Sequence, residues 1–163
     1  MEKAKTAGIT ITFDPNLRPA LWENEETMRQ VINELAFQAD IFLPGKEESS
    51  ILCGTDNLEE IAAFYQKHGV KMVIIKDGAN GAYANYEGNA YYLPAFKVDK
   101  VVDTVGAGDG FAVGVISGIL LGKDMVQILK EANAIGALQV MNIGDNEGLP
   151  SRSELDKFIS LHS

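Results

Sequence analysis

The sequence predicts a three-layer α/β/α sandwich built on a mainly parallel sheet, and three observations carry that prediction. Short apolar, β-branched runs (Ile9-Thr-Ile-Thr-Phe13, Ile41-Phe-Leu43, Met72-Val-Ile-Ile75) alternate with segments of helical period. That is the pattern of buried parallel strands joined by crossover helices. Polar or glycine-bearing loops follow the strand ends at residues 14–18, 44–48, 76–81 and 103–109, and ligands of such sheets bind beyond the carboxyl ends of the strands. Finally, 163 residues with 46% hydrophobic and 23% charged suffice for one domain with one core.

Each element has a local signal. The run Ile9-Thr-Ile-Thr-Phe13 alternates in strand fashion and stops at the turn Asp14-Pro15-Asn16. Met28, Val31, Ile32 and Leu35 recur at helical spacing over residues 25–38. Pro44-Gly45 ends the second strand, and Asn57 is placed to cap a helix over residues 58–68. Residues 81–86 and 90–93, separated by Glu87-Gly88-Asn89, read as an antiparallel hairpin. Helices are expected from near Gly108, over residues 125–141, and after Ser151 and Ser153. Gly110, Gly114, Gly118 and Gly122 share one face of the first of these, which predicts a soluble helix packed closely on a sheet.

Composition excludes several function classes. Asp and Glu number 23 against 14 Lys and Arg, a formal charge of −9, so neither nucleic acid nor an anionic membrane is an expected partner. The apolar run at residues 111–121 is about half the ~20 residues that span a bilayer. Cys53 is the single cysteine, and His68 and His162 stand far apart. No zinc ligand set or internal disulfide is therefore expected, and a reducing, cytoplasmic setting fits best. The open edge near Ile9 is a template for another chain, which predicts a homo-oligomer.

The stretch Val101-Val-Asp-Thr-Val-Gly-Ala-Gly-Asp-Gly-Phe111 carries the chemistry. A glycine turn opening a helix presents backbone N–H groups and a partial positive charge to an anion. It is not a Walker phosphate loop, because no Lys follows the glycines, nor the dinucleotide fingerprint, because Phe111 stands at the sixth position. Asp109 within an anion-binding turn has two readings: a first-turn acid complementing the helix dipole, worth about 0.3–1 kcal/mol, or a general base beside an anion hole, as phosphoryl transfer requires.

Asp103-Thr-Val-Gly-Ala-Gly-Asp109-Gly-Phe resembles the second signature of the ribokinase-like (PfkB) carbohydrate kinases, D-T-x-G-A-G-D-x-F, at every fixed position. The resemblance implies a ribokinase-like fold, ATP and Mg²⁺ as cofactors, Gly106, Ala107 and Gly108 as the anion hole, and Asp109 as the base acting on a sugar hydroxyl. Asp14-Pro-Asn-Leu-Arg18 is similar to the family's D-x-N-x-R turn, which implies that Asn16 lies near the nucleotide phosphates and that Arg18 reaches the sugar acid or the phosphates. Lys76-Asp-Gly78-Ala-Asn-Gly81 resembles K-x-G-x-x-G along the nucleotide, with Asp77 in place of an apolar residue. Asn133 falls where the family has an adenine-contacting Asn. Asp103, Val105 and Gly144 would border a loop for a monovalent cation such as K⁺. Residues 44–48 stand where relatives have N-x-x-E, with Gly45 for Asn, and Glu48 would act on Mg²⁺ through water; read without the resemblance, Glu48 is equally an acid at a helix start.

The resemblance runs over nearly the whole chain but covers only the family's C-terminal half. Residues 1–163 are accordingly expected to be a single nucleotide-binding segment, without the N-terminal sugar-binding and lid portion. The turn Phe13-Asp-Pro-Asn-Leu-Arg-Pro-Ala-Leu-Trp22 and the stretch at residues 136–150 look most like 2-keto-3-deoxygluconate kinases, and Arg18 suits an acidic sugar. Three other outcomes stay open: a fructokinase, a nucleotide-binding module without turnover, and a flavodoxin-like interaction domain with incidental glycines.

Overall fold

The computed structural model describes residues 1–162. Its elements, in chain order, are α1 (Glu2–Thr6), β1 (Thr12–Phe13), α2 (Glu25–Ala36), β2 (Ile41–Phe42), α3 (Lys46–Cys53), α4 (Leu58–Lys67), β3 (Met72–Lys76), β4 (Gly81–Tyr86), β5 (Asn89–Pro94), α5 (Ala107–Leu120), α6 (Met125–Val140) and α7 (Arg152–His162). The sheet order is β1-β2-β3-β4-β5. β1, β2 and β3 run parallel, with Thr12 opposite Ile41 and Phe42 opposite Val73. β4 and β5 form the expected hairpin, joined by the two-residue turn Glu87-Gly88 with both φ positive (52° and 77°), the type I′ geometry that matches strand twist. The chain divides into two compact units, one of Met1–Asp77 and Tyr83–Ala90, the other of Gly78–Ala82 and the chain from Tyr91 onward.

In the first unit α2, α3 and α4 cover one face of the strands. Met28, Ile32 and Ala36 from α2, Leu52 from α3, and Ile61, Ala62 and Tyr65 from α4 join Phe42, Val73 and Ile75 in one buried cluster. Tyr65 is fully buried, so its hydroxyl needs a partner; it donates to Asn33 Oδ1 at 2.9 Å, and Asn33 Nδ2 donates to the Leu52 carbonyl at 2.9 Å. Asn57 caps α4 as expected, accepting from the N–H groups of Glu59 and Glu60.

Two local expectations are corrected here. The first strand is regular only over Thr12–Phe13 because the Ile11 N–H is taken by Asp40 Oδ2 at 2.9 Å, and the Ile9 N–H turns back to the Ala4 carbonyl of α1. Lys71 and that Ile11 N–H together hold the Asp40 carboxyl below its usual range. The second correction is α3. Pro44-Gly45 ends the strand but does not open a loop, since Gly45 is the N-cap of a helix whose start is held by Glu48.

In the second unit α5 lies directly on α6. A Cβ on Gly114 would come within 2.6 Å of Ala132 Cα, one on Gly118 within 2.8 Å of Ile128 Cγ1, and one on Gly110 within 3.2 Å of Ile135 Cγ2. The glycine face thus allows close approach of another helix, where the sequence suggested a sheet, and Gly122 lies beyond the helix end. Ala134, Ile135 and Ala137 of α6 pack with Leu155 and Phe158 of α7. Arg152 Nη1 ties the start of α7 to Glu131 of α6 at 3.0 Å. Among the described residues no helix is long and apolar enough to cross a membrane.

Candidate functional site

Three strand-end loops meet in the first unit. In the turn after β1, Asn16 has φ 40°, a left-handed conformation that Asn adopts more readily than most residues. Its N–H donates to Asp14 Oδ1 at 3.3 Å. Leu17 is buried and faces the core, so Asn16 and Arg18 on either side of it are exposed. Arg18 Nη1 donates to the Leu17 carbonyl at 3.0 Å; the guanidinium has five N–H donors, and this contact uses one of them.

Lys76 closes β3 beside this turn. Its ammonium pairs with Asp14 Oδ2 at 2.5 Å, and its N–H donates to the Pro44 carbonyl at 2.9 Å. Burial pushes the Asp14 carboxyl above its ordinary range even with Lys76 alongside. Asp77, which stands where the family pattern is apolar, has its carboxylate 3.7 Å from Lys46 Nζ. Glu48 is the third member of the group. Its Oε1 accepts the Leu17 N–H at 2.7 Å and its Oε2 accepts the Gly45 N–H at 2.6 Å. Asn16, Arg18, Glu48 and Lys76 are thus brought together by hydrogen bonds and by one ion pair.

The second unit contains the glycine turn. Gly106 is the N-cap of α5 with φ 75°, and a Cβ there would meet the Asp145 carbonyl oxygen at 2.6 Å. Only glycine fits both the backbone angle and that close approach. Ala107, Gly108 and Asp109 are the first three helical residues, whose N–H groups have no carbonyl one turn back within the helix. The Ala107 N–H reaches the Thr104 carbonyl at 3.3 Å, so the amides of Gly108 and Asp109 are the stronger donors for an anion. Asp109 itself is exposed.

Asp103 gathers the neighbouring loops. Its Oδ1 accepts the Val105 N–H at 3.0 Å and its Oδ2 the Gly144 N–H at 3.3 Å. Those two bonds, Val105 first, hold its carboxyl below the usual range. With the folded pKa depressed, the contribution of Asp103 is fully present above about pH 4 and is lost as pH falls through the depressed value. Amide NMR shifts of Val105 and Gly144 should therefore titrate together below the ordinary Asp range. Asp103→Asn should remove that inflection, and an inflection at the ordinary value would contradict the assignment.

Sequence reasoning missed Gln139, which organises the same loop. It is fully buried on α6, and its Nε2 donates to the carbonyls of Gly144 (2.9 Å) and Asp145 (2.6 Å). Its Oε1 is buried with no protein partner among the described residues. The available signal was a lone amide in the apolar stretch Ala137-Leu-Gln-Val-Met141. Asn133 is also buried, and its Nδ2 donates to the Leu93 and Pro94 carbonyls at 3.2 and 3.1 Å. Its amide nitrogen therefore ties α6 to β5. Gly78 opens a single 3-10 turn, and Gly81 starts β4 pressed against the backbone of residues 93–95. Among the described residues no cluster of three His, Cys, Asp or Glu could hold a metal ion.

The fold is that of the ribokinase-like carbohydrate kinases. The chain belongs to the pfkB family: the model of the pfkB family carbohydrate kinases matches residues 1–152. Over 160 residues the chain is 51% identical to a 2-dehydro-3-deoxygluconokinase of Bacillus subtilis, an alignment covering 98% of this chain and 49% of that protein. Among solved structures, a putative ribokinase II from Escherichia coli in complex with ATP and Mg²⁺ matches with a TM-score of 0.88 at 34% identity, over 97% of this chain and 51% of that one. A double mutant of a fructokinase from Vibrio cholerae, bound to fructose, ADP and potassium, matches with a TM-score of 0.87 at 27% identity, over 97% and 53%. The chain spans about half the length of the curated relatives it matches.

Proposed function

We propose that this chain is the nucleotide-binding segment of an ATP-dependent sugar kinase whose acceptor is a keto-deoxy sugar acid, 2-keto-3-deoxygluconate. The observation that carries this reading is the first turn of α5: Gly106 opens the helix at φ 75°, the Gly108 and Asp109 amides follow, and Asp109 stands exposed among them. An anion hole and a base on one helical turn suit phosphoryl transfer, in which positioning and charge stabilisation do most of the work.

In this reading Asp109 takes the proton of the sugar hydroxyl as its oxygen forms the new bond to the γ-phosphorus. The bond from that phosphorus to the ADP oxygen breaks, and the first-turn amides of α5 hold the charge on the transferring group. The family resemblance assigns Asn16 and Lys76 to the nucleotide phosphates, Gly78 and Gly81 to the backbone that runs along the nucleotide, and Asn133, which is buried and held through its amide nitrogen, to adenine. Mg²⁺ would arrive with the phosphates and neutralise their charge. Asp103 holds Val105 and Gly144 together through their N–H groups, and the potassium in the Vibrio cholerae fructokinase supports use of this loop for a monovalent cation.

Arg18 supports the acidic substrate, because its guanidinium is exposed and fixed by one arm, leaving a fork for a carboxylate. The half-length match to the relatives favours a second reading, that the chain alone binds nucleotide without turnover. A coupled ADP-release assay of the full-length kinase against 2-keto-3-deoxygluconate, fructose and ribose tests the substrate. The acid should be preferred, and Arg18→Ala should raise the KM for it by roughly tenfold or more, the scale of one charge-assisted contact, with little effect on neutral sugars. A preference for fructose with equal effects on every sugar would assign a fructokinase instead.

A further inference from the structure

We infer that Glu48 is a positioning residue for the turn that carries Asn16 and Arg18, its two carboxylate oxygens each held by a backbone N–H rather than turned out to ligate a metal directly. The inference deepens the proposed function and rests on that reading, since the turn matters only if its two exposed side chains meet substrate.

The argument begins with the turn itself. A non-glycine residue at φ 40°, as Asn16 is, costs free energy and persists only where its surroundings over-determine it. The Asp14 carboxylate restrains Asn16 from within the turn, at 3.3 Å. Glu48 restrains its neighbour Leu17 from 31 residues away, through the Leu17 N–H at 2.7 Å. Leu17 is the pivot, because it is buried between two exposed neighbours. Fixing its N–H fixes the directions in which Asn16 and Arg18 leave the backbone.

The second oxygen of Glu48 is also in use. It accepts the Gly45 N–H at 2.6 Å and so holds the start of α3. Gly45 has no side chain with which to cap that helix, and its φ of −76° is open to any residue. Glu48 therefore binds the N–H of this N-cap while the Ser49 hydroxyl donates to its carbonyl at 2.9 Å, and the two Glu48 bonds lock the turn to the helix. Rotating the carboxylate toward a cation would release both amides, each short and charge-assisted.

Glu48→Gln separates these roles, because the amide keeps the shape but presents only one accepting oxygen to two N–H donors. Hydrogen exchange without ligand is the first measurement. Exchange at Leu17 or Gly45 should rise roughly tenfold, as expected for loss of one such bond, while Val73 in β3 stays protected as a control for folding. Calorimetry with ADP, in the presence and absence of Mg²⁺, is the second. Positioning predicts that both affinities fall by the same factor. A fall confined to MgADP would make Glu48 a metal ligand, and no fall in either would make it merely structural; both results overturn the inference. Should the unsubstituted chain bind no ADP at all, the kinase reading fails, and the exchange comparison alone then decides whether Glu48 holds the turn.

Discussion

Asp109→Asn, introduced into a full-length kinase that carries this segment, should lower turnover by about 10²–10⁴-fold, the usual contribution of a positioned general base, and leave MgADP affinity unchanged. The magnitude decides between the two roles open to this residue. As the third residue of α5, Asp109 complements the helix dipole, and losing that interaction costs only about 0.3–1 kcal/mol of stability. The amide of Asn is nearly isosteric and cannot take a proton from a hydroxyl. A small change in stability with a large fall in kcat would identify the base. Turnover within about tenfold of the parent, a barrier change under ~1.4 kcal/mol, would reduce Asp109 to a helix-start acid.

Gly81→Ala should destabilise the second unit by about 3–5 kcal/mol, among the largest effects of any single substitution. Gly81 begins β4 at φ 120°, and a Cβ there would fall 2.1 Å from the Leu93 carbonyl oxygen and 2.7 Å from the Ala95 nitrogen. Both obstacles are backbone, so no side-chain rotation relieves them. The same segment is fastened by the Asn80 carbonyl, which accepts the Tyr92 hydroxyl at 2.8 Å and the Ala95 N–H at 3.2 Å. Thermal unfolding should show the loss as a drop of several degrees per kcal/mol. A melting temperature within a degree or two of the parent would mean that the start of β4 is far more plastic than this packing allows.

What the sequence makes legible is local. Asn57 announces α4, Glu87-Gly88 announces the hairpin, and the glycine signature places the start of α5 within a residue. What it hides is contact between distant residues. Asp14 and Lys76 are separated by 62 positions, and nothing in either neighbourhood marks them as partners. Glu48 offered α3 a helix-start acid, but the helix stood behind a Pro-Gly pair that usually signals a turn, and its cap is a side chain reaching back from inside the helix. The glycine face of α5 was legible as a close approach, but its partner was not, because small residues admit a helix or a sheet equally. Gln139 was hidden by its company, since one amide in an apolar helix reads as a surface position until burial is known. Within the candidate site, Glu48 and Asp103 were marked by motif spacing but not as the residues that hold their loops, and Gln139 carried no motif at all.

Calorimetric titration of MgADP into this chain tests the central claim most directly. The account predicts saturable binding at one site, weakened by Gly106→Val, whose side chain would collide with the Asp145 carbonyl and displace the first-turn amides of α5. Heats indistinguishable from dilution, or binding that Gly106→Val leaves intact, would contradict the assignment of this chain as the nucleotide-binding segment of a sugar kinase.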